Sequence, residues 1–187
     1  MDSKILENLR KDLGEDRLKH VLRVVDVARE LARVHGVDIK KAETAALFHD
    51  CAKFQNKNNL LKSANDFDII LDDIMMRNTE LIHGPLGAKI AETKYKIKDE
   101  DILKAIAYHT TGRKNMSKLE KLIYIADYIE PGRKFEGIER VRKLAFEDLD
   151  KSILLAMDQT IIFLIKNDKL ISIDTLDARN HLLMELN

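Results

Sequence analysis

The 187-residue chain has no tryptophan, one cysteine, two prolines and seven glycines, and its charges cancel. Each scarcity narrows the field. A single cysteine, Cys51, excludes an intramolecular disulfide framework and suits a reducing compartment. With so little proline and glycine, the tight turns that many short strands require are in short supply. Long helices built from the abundant Ala, Leu, Ile, Lys and Glu are favoured instead. Lysine plus arginine (32) equals aspartate plus glutamate (32), so no global field draws the chain to nucleic acid or to an anionic membrane. A small anionic substrate stays open, because a local cluster of cations binds it whatever the net charge. No run approaches the ~20 apolar residues of a membrane span. The N-terminal MDSKILENLRKDL reads as an amphipathic helix without a signal peptide's apolar core. These features predict a soluble, cytoplasmic protein; homodimerisation is compatible with them but not read from them.

What is present is helical periodicity. Segment 17–35 carries Leu18, Val21, Val25, Ala28 and Ala32 on one stripe and His20, Val24, Val27 and Leu31 on the next, and Gly36 stops it. Asp38 caps a helix whose Ala42, Ala45, Ala46 and His49 fall at i, i+3, i+4 and i+7, the alanines inviting close approach by a neighbour. Asn56 to Asn59 is polar and reads as a loop, with weaker helical patterns to about Arg77. His83-Gly84-Pro85 is a break, with a helix from Pro85 to about Lys94. Asp99 or Asp101 opens a helix in which Ile102, Ala105, Ile106 and His109 repeat the spacing, and Thr110-Thr111-Gly112 ends it. Ser117 to Glu120 is a capping box before LIYIADYI, and Pro131-Gly132 closes that helix. Helices at about 138–148 and 150–168, a connection at Leu170–Thr175 and a short last helix complete the chain. With no repeat or linker, the expectation is one all-α domain, 1–187, of roughly nine to eleven helices.

The chemistry-bearing residues lie on apolar faces. His49 and His109 occupy core-facing positions of periodic helices, and His20 lies on the broad apolar face of its own. A neutral imidazole is buried without penalty when both ring nitrogens have partners, which accounts for any one of the three but is strained by all of them together. Asp127 sits within Leu122 to Ile129, where little is polar. Burying its carboxylate costs several kcal/mol unless a cation or several donors compensate. An arginine partner, a position on the thin polar edge, or a metal ion would each serve. His49-Asp50 places two ligand types side by side at a helix end. Lys53, one turn on, suits either a bound phosphate or plain solvent, and Cys51 reads as a packed core residue.

Taken in order, His20, His49-Asp50 and Asp127 resemble the H…HD…D signature of the HD phosphohydrolase superfamily, an all-α helical-bundle fold. More narrowly, RLKHVLRV, AALFHDCAKF, LIHGPLGA, AIAYHTTG and KLIYIADYIEPGR resemble the bacterial HD-domain bis(5′-nucleosyl)-tetraphosphatases (symmetrical). The resemblance runs from about Arg17 to Asn187. It implies that His20, His49, Asp50 and Asp127 hold a metal. It also implies that His83 and His109, matching the family's extra histidines, hold a second ion or contact phosphate. The family is associated with iron, and histidine with carboxylate suits iron, manganese or zinc. The implied reaction is symmetric hydrolysis of diadenosine tetraphosphate or a related purine dinucleoside polyphosphate to two ADP. One or two ions would lower the pKa of a coordinated water so that hydroxide attacks a central phosphorus. His49 and Asp50 are the expected catalytic pair, Asp50 bridging the ions or accepting a proton.

Substrate contacts are expected from Lys53 and Arg133 on phosphate charge and from Thr110 and Thr111 as donors. Leu170, Ile171, Asp174 and Thr175 are expected on a purine edge, against the plainer reading of 170–175 as a packed crossover. Two other readings keep the metal: a nucleotidase, and a guanosine-polyphosphate hydrolase. The latter's family carries a Glu-Asp pair after the HD helix, where this chain reads QNKNNLLKSAND. The Gly-Tyr-Pro motif of cyclic-dinucleotide phosphodiesterases is absent. A non-enzymatic nucleotide sensor would have no chemical reason to keep so many buried ionisable groups.

Overall fold

Helix ends fall where the start and stop residues place them. The long α2 (Glu15–His35) terminates at Gly36, whose left-handed φ of 66° lets its N–H return to the carbonyl of Ala32. Asp38 then caps α3 (Ile39–Phe48) through the Lys41 amide at 3.0 Å. The computed structural model describes residues 3–53 and 60–187, and the predicted Asn56–Asn59 loop lies outside them. Among the described residues there are eleven helices and no strand. Before α2 comes α1 (Ser3–Leu13). After α3 come α4 (Leu60–Asp66), α5 (Asp73–Arg77), a 3-10 turn (Thr79–Ile82), α6 (His83–Thr93) and α7 (Glu100–Ala107). The chain continues through α8 (Lys118–Ile129), α9 (Ile138–Glu147), α10 (Leu149–Lys166) and α11 (Ile173–Leu186). No helix is long and apolar enough to cross a membrane.

The core forms around α2, α3 and α8. Leu18, Val21, Val24, Val25, Ala28 and Leu31 of α2 are buried against Ala42, Ala45 and Ala46 of α3, which lack bulk and so let the axes draw together. The central helix is α8, packed on α2, α3, α7 and α10. Its Leu122, Ile123, Ile125 and Ala126 are fully buried, so the helix is apolar nearly all round. Truncating Leu122 or Ile123 to alanine would cost about 2–5 kcal/mol. Asp127 rides on this helix, which fixes its carboxylate relative to everything packed around it.

Three expectations shift. Helix α6 begins at His83, two residues before Pro85, because the first turn of a helix leaves its amides unpaired and a proline there forfeits nothing. Helix α7 stops at Ala107, so His109 stands in the turn beyond it rather than on the helix. The last helix is fourteen residues, not short, and takes Ile173, Asp174 and Thr175 into its first turn, leaving a connection that ends at Ser172.

The approach of α6 to α7 has one requirement. A Cβ on Gly84 would lie 2.4 Å from the carbonyl oxygen of Ala107, so only glycine lets the start of α6 rest on the end of α7. That contact brings His83 and His109 together.

Candidate metal centre

Five separate stretches converge. His20 comes from α2, His49 and Asp50 from the end of α3, His83 from the start of α6, His109 from the turn after α7, and Asp127 from α8. His20, His49, Asp50, His83 and His109 are all at most 7% exposed, and the Asp127 side chain is 19% exposed.

The imidazoles are oriented from behind. His49 and His109 donate through Nδ1 to the carbonyls of Ala46 and Ile106, each at 2.7 Å, and His83 does the same to Glu80. Each bond comes from the residue three back, at the end or start of a helix where a carbonyl is free. His20 Nδ1 lies 3.2 Å from Oε1 of the buried Glu130. With Nδ1 as the donor in all four rings, every Nε2 turns a bare lone pair inward. These lone pairs face one another: His20 and His49 at 3.3 Å, His83 and His109 at 2.9 Å. Without a cation between them that arrangement is repulsive.

Asp50 lies in the middle. Its Oδ2 is 3.5 Å from Nε2 of both His20 and His49, and its Oδ1 is 3.3 Å from His83 Nε2 and 3.6 Å from His109 Nε2. Those nitrogens are not donors, so Oδ1 is buried with no hydrogen-bond partner. On the other side, Asp127 Oδ1 approaches His20 Nε2 at 3.1 Å and His49 Nε2 at 3.9 Å. Two ligands bound about 2.1 Å from one ion and at right angles sit about 3 Å apart. Three overlapping triads have ligand atoms within 4.8 Å of one another: His20, His49 and Asp50; His49, His109 and Asp127; and Asp50, His83 and His109. Imidazole and carboxylate without thiolate suit a divalent ion of borderline hardness, and an orphaned buried carboxylate oxygen is what such an ion would satisfy.

The charge balance agrees. Burial pushes the Asp50 carboxyl up, but His49 and the imidazoles of His109 and His83 outweigh it and hold it well below the carboxylate range. Burial likewise opposes, and His20, His49 and Arg133 overcome, the ionisation penalty of Asp127, which stays an anion. Burial, reinforced by His83 and His49, pushes His109 down to about 4, leaving a neutral ligand at pH 7. His49 is raised instead: burial lowers it, yet Asp50 and Asp127 prevail.

Around this centre lie groups that the sequence alone did not single out. Arg17 donates to Asp50 Oδ2 at 3.0 Å from one turn before His20. Glu130 accepts from Arg23 Nε at 2.5 Å and from the Gly132 amide at 2.6 Å while holding His20. The available signal was spacing: Arg17 and Arg23 flank His20 at three residues, and Glu130 follows Asp127 at three. Of the expected contacts, Lys53 Nζ is 3.7 Å from Asp50 Oδ1, and Arg133 donates to Asp127 Oδ1 at 2.8 Å. The Thr110 hydroxyl lies 3.2 and 3.1 Å from the Nε2 atoms of His83 and His109. Thr111 is buried and donates to the Gly112 carbonyl, Thr175 is buried, Ile171 is half-buried, and Leu170 points to solvent at 47% exposure. Cys51 is buried, bonded to the Gly87 carbonyl, and pushed up by burial, so it stays a thiol.

Cavities adjoin the centre at Thr110. One of about 160 Å³ contains His109, Asp127, Tyr128 and Arg133; another of about 180 Å³ contains Tyr108, Thr111 and Asp174. A larger depression of about 480 Å³ lies at the far ends of α2 and α8, beside His35 and Lys121. It holds none of the converging residues, and Lys121 there is already paired with Asp150 at 2.9 Å.

Comparison with known proteins agrees with this geometry. The HD domain family profile matches residues 17–132. A Halalkalibacterium halodurans protein named bis(5′-nucleosyl)-tetraphosphatase, symmetrical, is 44% identical, with 97% of each chain aligned. A Bacillus subtilis protein of the same name is 42% identical over 93% of each. A crystal structure of a predicted HD superfamily hydrolase involved in NAD metabolism from Clostridium acetobutylicum superposes with a TM-score of 0.94 at 46% identity, covering 97% of this chain and 96% of that one. The chain therefore belongs to the HD-domain family, within the group of the symmetrical bis(5′-nucleosyl)-tetraphosphatases.

Proposed function

We propose that this protein hydrolyses dinucleoside tetraphosphates symmetrically, converting diadenosine tetraphosphate to two ADP, at a centre that holds one or two divalent ions. The observation that carries the reading is Asp50 Oδ1, a buried anionic oxygen with no donor, set among inward-facing Nε2 lone pairs. His20, His49, Asp127 and Asp50 would hold one ion, and His83, His109 and Asp50 a second. When bound, such ions neutralise phosphate charge and make water acidic enough to act as a nucleophile near pH 7. Iron is the metal we favour, with manganese or zinc meeting the same donor set.

The chain's own groups take defined parts. Asp50, kept ionised and pinned by Arg17, would serve as a ligand to the ions rather than as a proton acceptor. Lys53 and Arg133 place positive charge at the rim, where the bridging phosphates arrive, and the Thr110 hydroxyl can donate to a phosphoryl oxygen. Phosphoryl transfer to water needs positioning and charge neutralisation rather than a covalent nucleophile. The buried Cys51 thiol is unsuited to that role in any case.

The test is product chromatography after incubating metal-reconstituted protein with diadenosine tetraphosphate. Two ADP are expected; ATP plus AMP, or no turnover with iron, manganese or zinc, would refute the proposal. Metal analysis after anaerobic purification decides the ion.

A further inference from the structure

Helix α8 ends without a glycine cap. Its last position, Glu130, is extended (φ −51°, ψ 149°), and Pro131 after it has no amide to return to the open carbonyls. A left-handed glycine commonly closes such an end. Here one side chain from another helix does so. Arg142 of α9 donates through Nε to the Ile129 carbonyl at 2.9 Å. Its Nη2 donates to the carbonyls of Glu130 at 2.9 Å and Arg133 at 2.8 Å, and its Nη1 bonds Glu139 on its own helix. The guanidinium therefore holds the backbone on both sides of Pro131-Gly132. None of its bonds goes to a ligand of the metal centre.

The turn it holds carries two groups that back the centre. Glu130 Oε1 lies 3.2 Å from His20 Nδ1, and Arg133 Nη2 donates to Asp127 Oδ1 at 2.8 Å. Between them the Gly132 amide donates to Glu130 Oε2 at 2.6 Å. A Cβ on Gly132 would lie 2.8 Å from Glu130 Oε1 and 2.5 Å from Arg23 Nη2, so the turn and the carboxylate pack as one unit. A shift of the turn carries Glu130 with it. Burial does little to prevent that shift, because Pro131, Gly132 and residues 134–137 are all exposed. Hydrogen bonds set the position of the turn, and Arg142 supplies three of them.

The structure assigns Arg142 as a positioning residue for the metal centre: by holding three carbonyls of the 129–133 turn, it keeps Glu130 behind His20 and Arg133 behind Asp127. The inference rests on the centre proposed above and not on its substrate. Lysine is a poor replacement, because one ammonium cannot span the three acceptors that a planar guanidinium reaches.

Chelator competition with ferrous iron, manganese and zinc in turn reads the effect without turnover. Loss of a group behind a metal ligand weakens affinity about 10- to 100-fold. R142M, one step further out, should fall at the lower end, about tenfold, and R142K should recover part of the loss. A double-mutant cycle with E130Q reads the route. If Arg142 acts through Glu130, adding R142M to E130Q should weaken binding by less than about a further twofold. V141A, at a fully buried position on the same helix, controls for stability. Its denaturation midpoint should fall while its metal affinity stays within about twofold of wild type.

Affinity in R142M within about twofold of wild type overturns the inference. So do losses that multiply in full in the double variant, or a loss in V141A equal to that in R142M. R142K carries the comparison if R142M does not fold, and wild-type affinity in R142K overturns the inference equally. Wild-type protein that binds none of the three ions overturns it together with the metal centre.

Discussion

Replacing Glu130 by glutamine tests whether the centre depends on its outer partners. Glu130 is 2% exposed, and its two oxygens serve His20 Nδ1 at 3.2 Å, Arg23 Nε at 2.5 Å, Arg23 Nη2 at 3.4 Å and the Gly132 amide at 2.6 Å. All four are donors. Glutamine keeps the shape but converts one acceptor into a donor, so either His20 or the Arg23–Gly132 pair is left facing an N–H. A buried donor without an acceptor costs about 1–3 kcal/mol of folding stability. The second effect falls on the ion. Without a carboxylate behind it, His20 keeps at most a neutral amide oxygen to fix its tautomer and aim Nε2 at the centre. Loss of such a partner weakens metal affinity about 10- to 100-fold, or about 1.4–2.8 kcal/mol. Chelator competition on wild-type and E130Q protein measures the affinity, and denaturant unfolding of the metal-free forms measures stability separately. Metal affinity within twofold of wild type in E130Q would refute the reasoning, because His20 would then be oriented by something else.

Three further outcomes are expected. Asp50→Asn should lower turnover by more than about a hundredfold, beyond what loss of an outer partner causes, with the circular dichroism of the fold retained; near-normal rates would remove Asp50 from the proposed ligand set. Gly84→Ala should destabilise by about 1–3 kcal/mol as its Cβ meets the Ala107 carbonyl, and should weaken metal binding by parting His83 from His109; an unchanged denaturation midpoint would contradict this. Asp148 caps α10 through the Lys151 amide at 3.0 Å, and that bond, with the Lys151 side chain, holds its carboxyl below the ordinary value. Asp148→Ala should therefore cost about 1 kcal/mol at pH 7. The difference from wild type should persist down to about pH 4, the unfolded value, and fade as pH falls through the lower folded value. A gap that widens in acid would refute it.

The helix framework was legible because its punctuation is local. Gly36, Asp38, Asp99 and the Ser117–Glu120 box act through bonds to amides or carbonyls a few residues away. His83 and His109 show where local reading fails. Proline looked like a first residue although the third position suits it equally, and the periodicity of α7 outlasts the helix, which ends before the turn at Gly112, φ 68°. The histidines and aspartates of the centre were legible as a group because ionisable residues on apolar faces demand compensation. Glu130 was not: a charged residue at a helix end before Pro131-Gly132 looks like any solvated terminus until α2 docks on α8 and His20 meets it. The cavity at Asp174 gathers Ile70, Met75, Pro85 and Tyr108 from stretches far apart, and no window of sequence contains it.

The dispersal of the ligands along the chain has a cellular consequence. Residues 20, 49, 50, 83, 109 and 127 would all be tied by the ions, so the cargo of the centre also clamps more than half of the polypeptide. An ion present at a thousand times its dissociation constant would add about 4.1 kcal/mol to the folded state. Starved of metal, a cell would hold a looser form that opens more often and is degraded faster. The abundance of the protein, and not only its turnover, would then follow the metal supply.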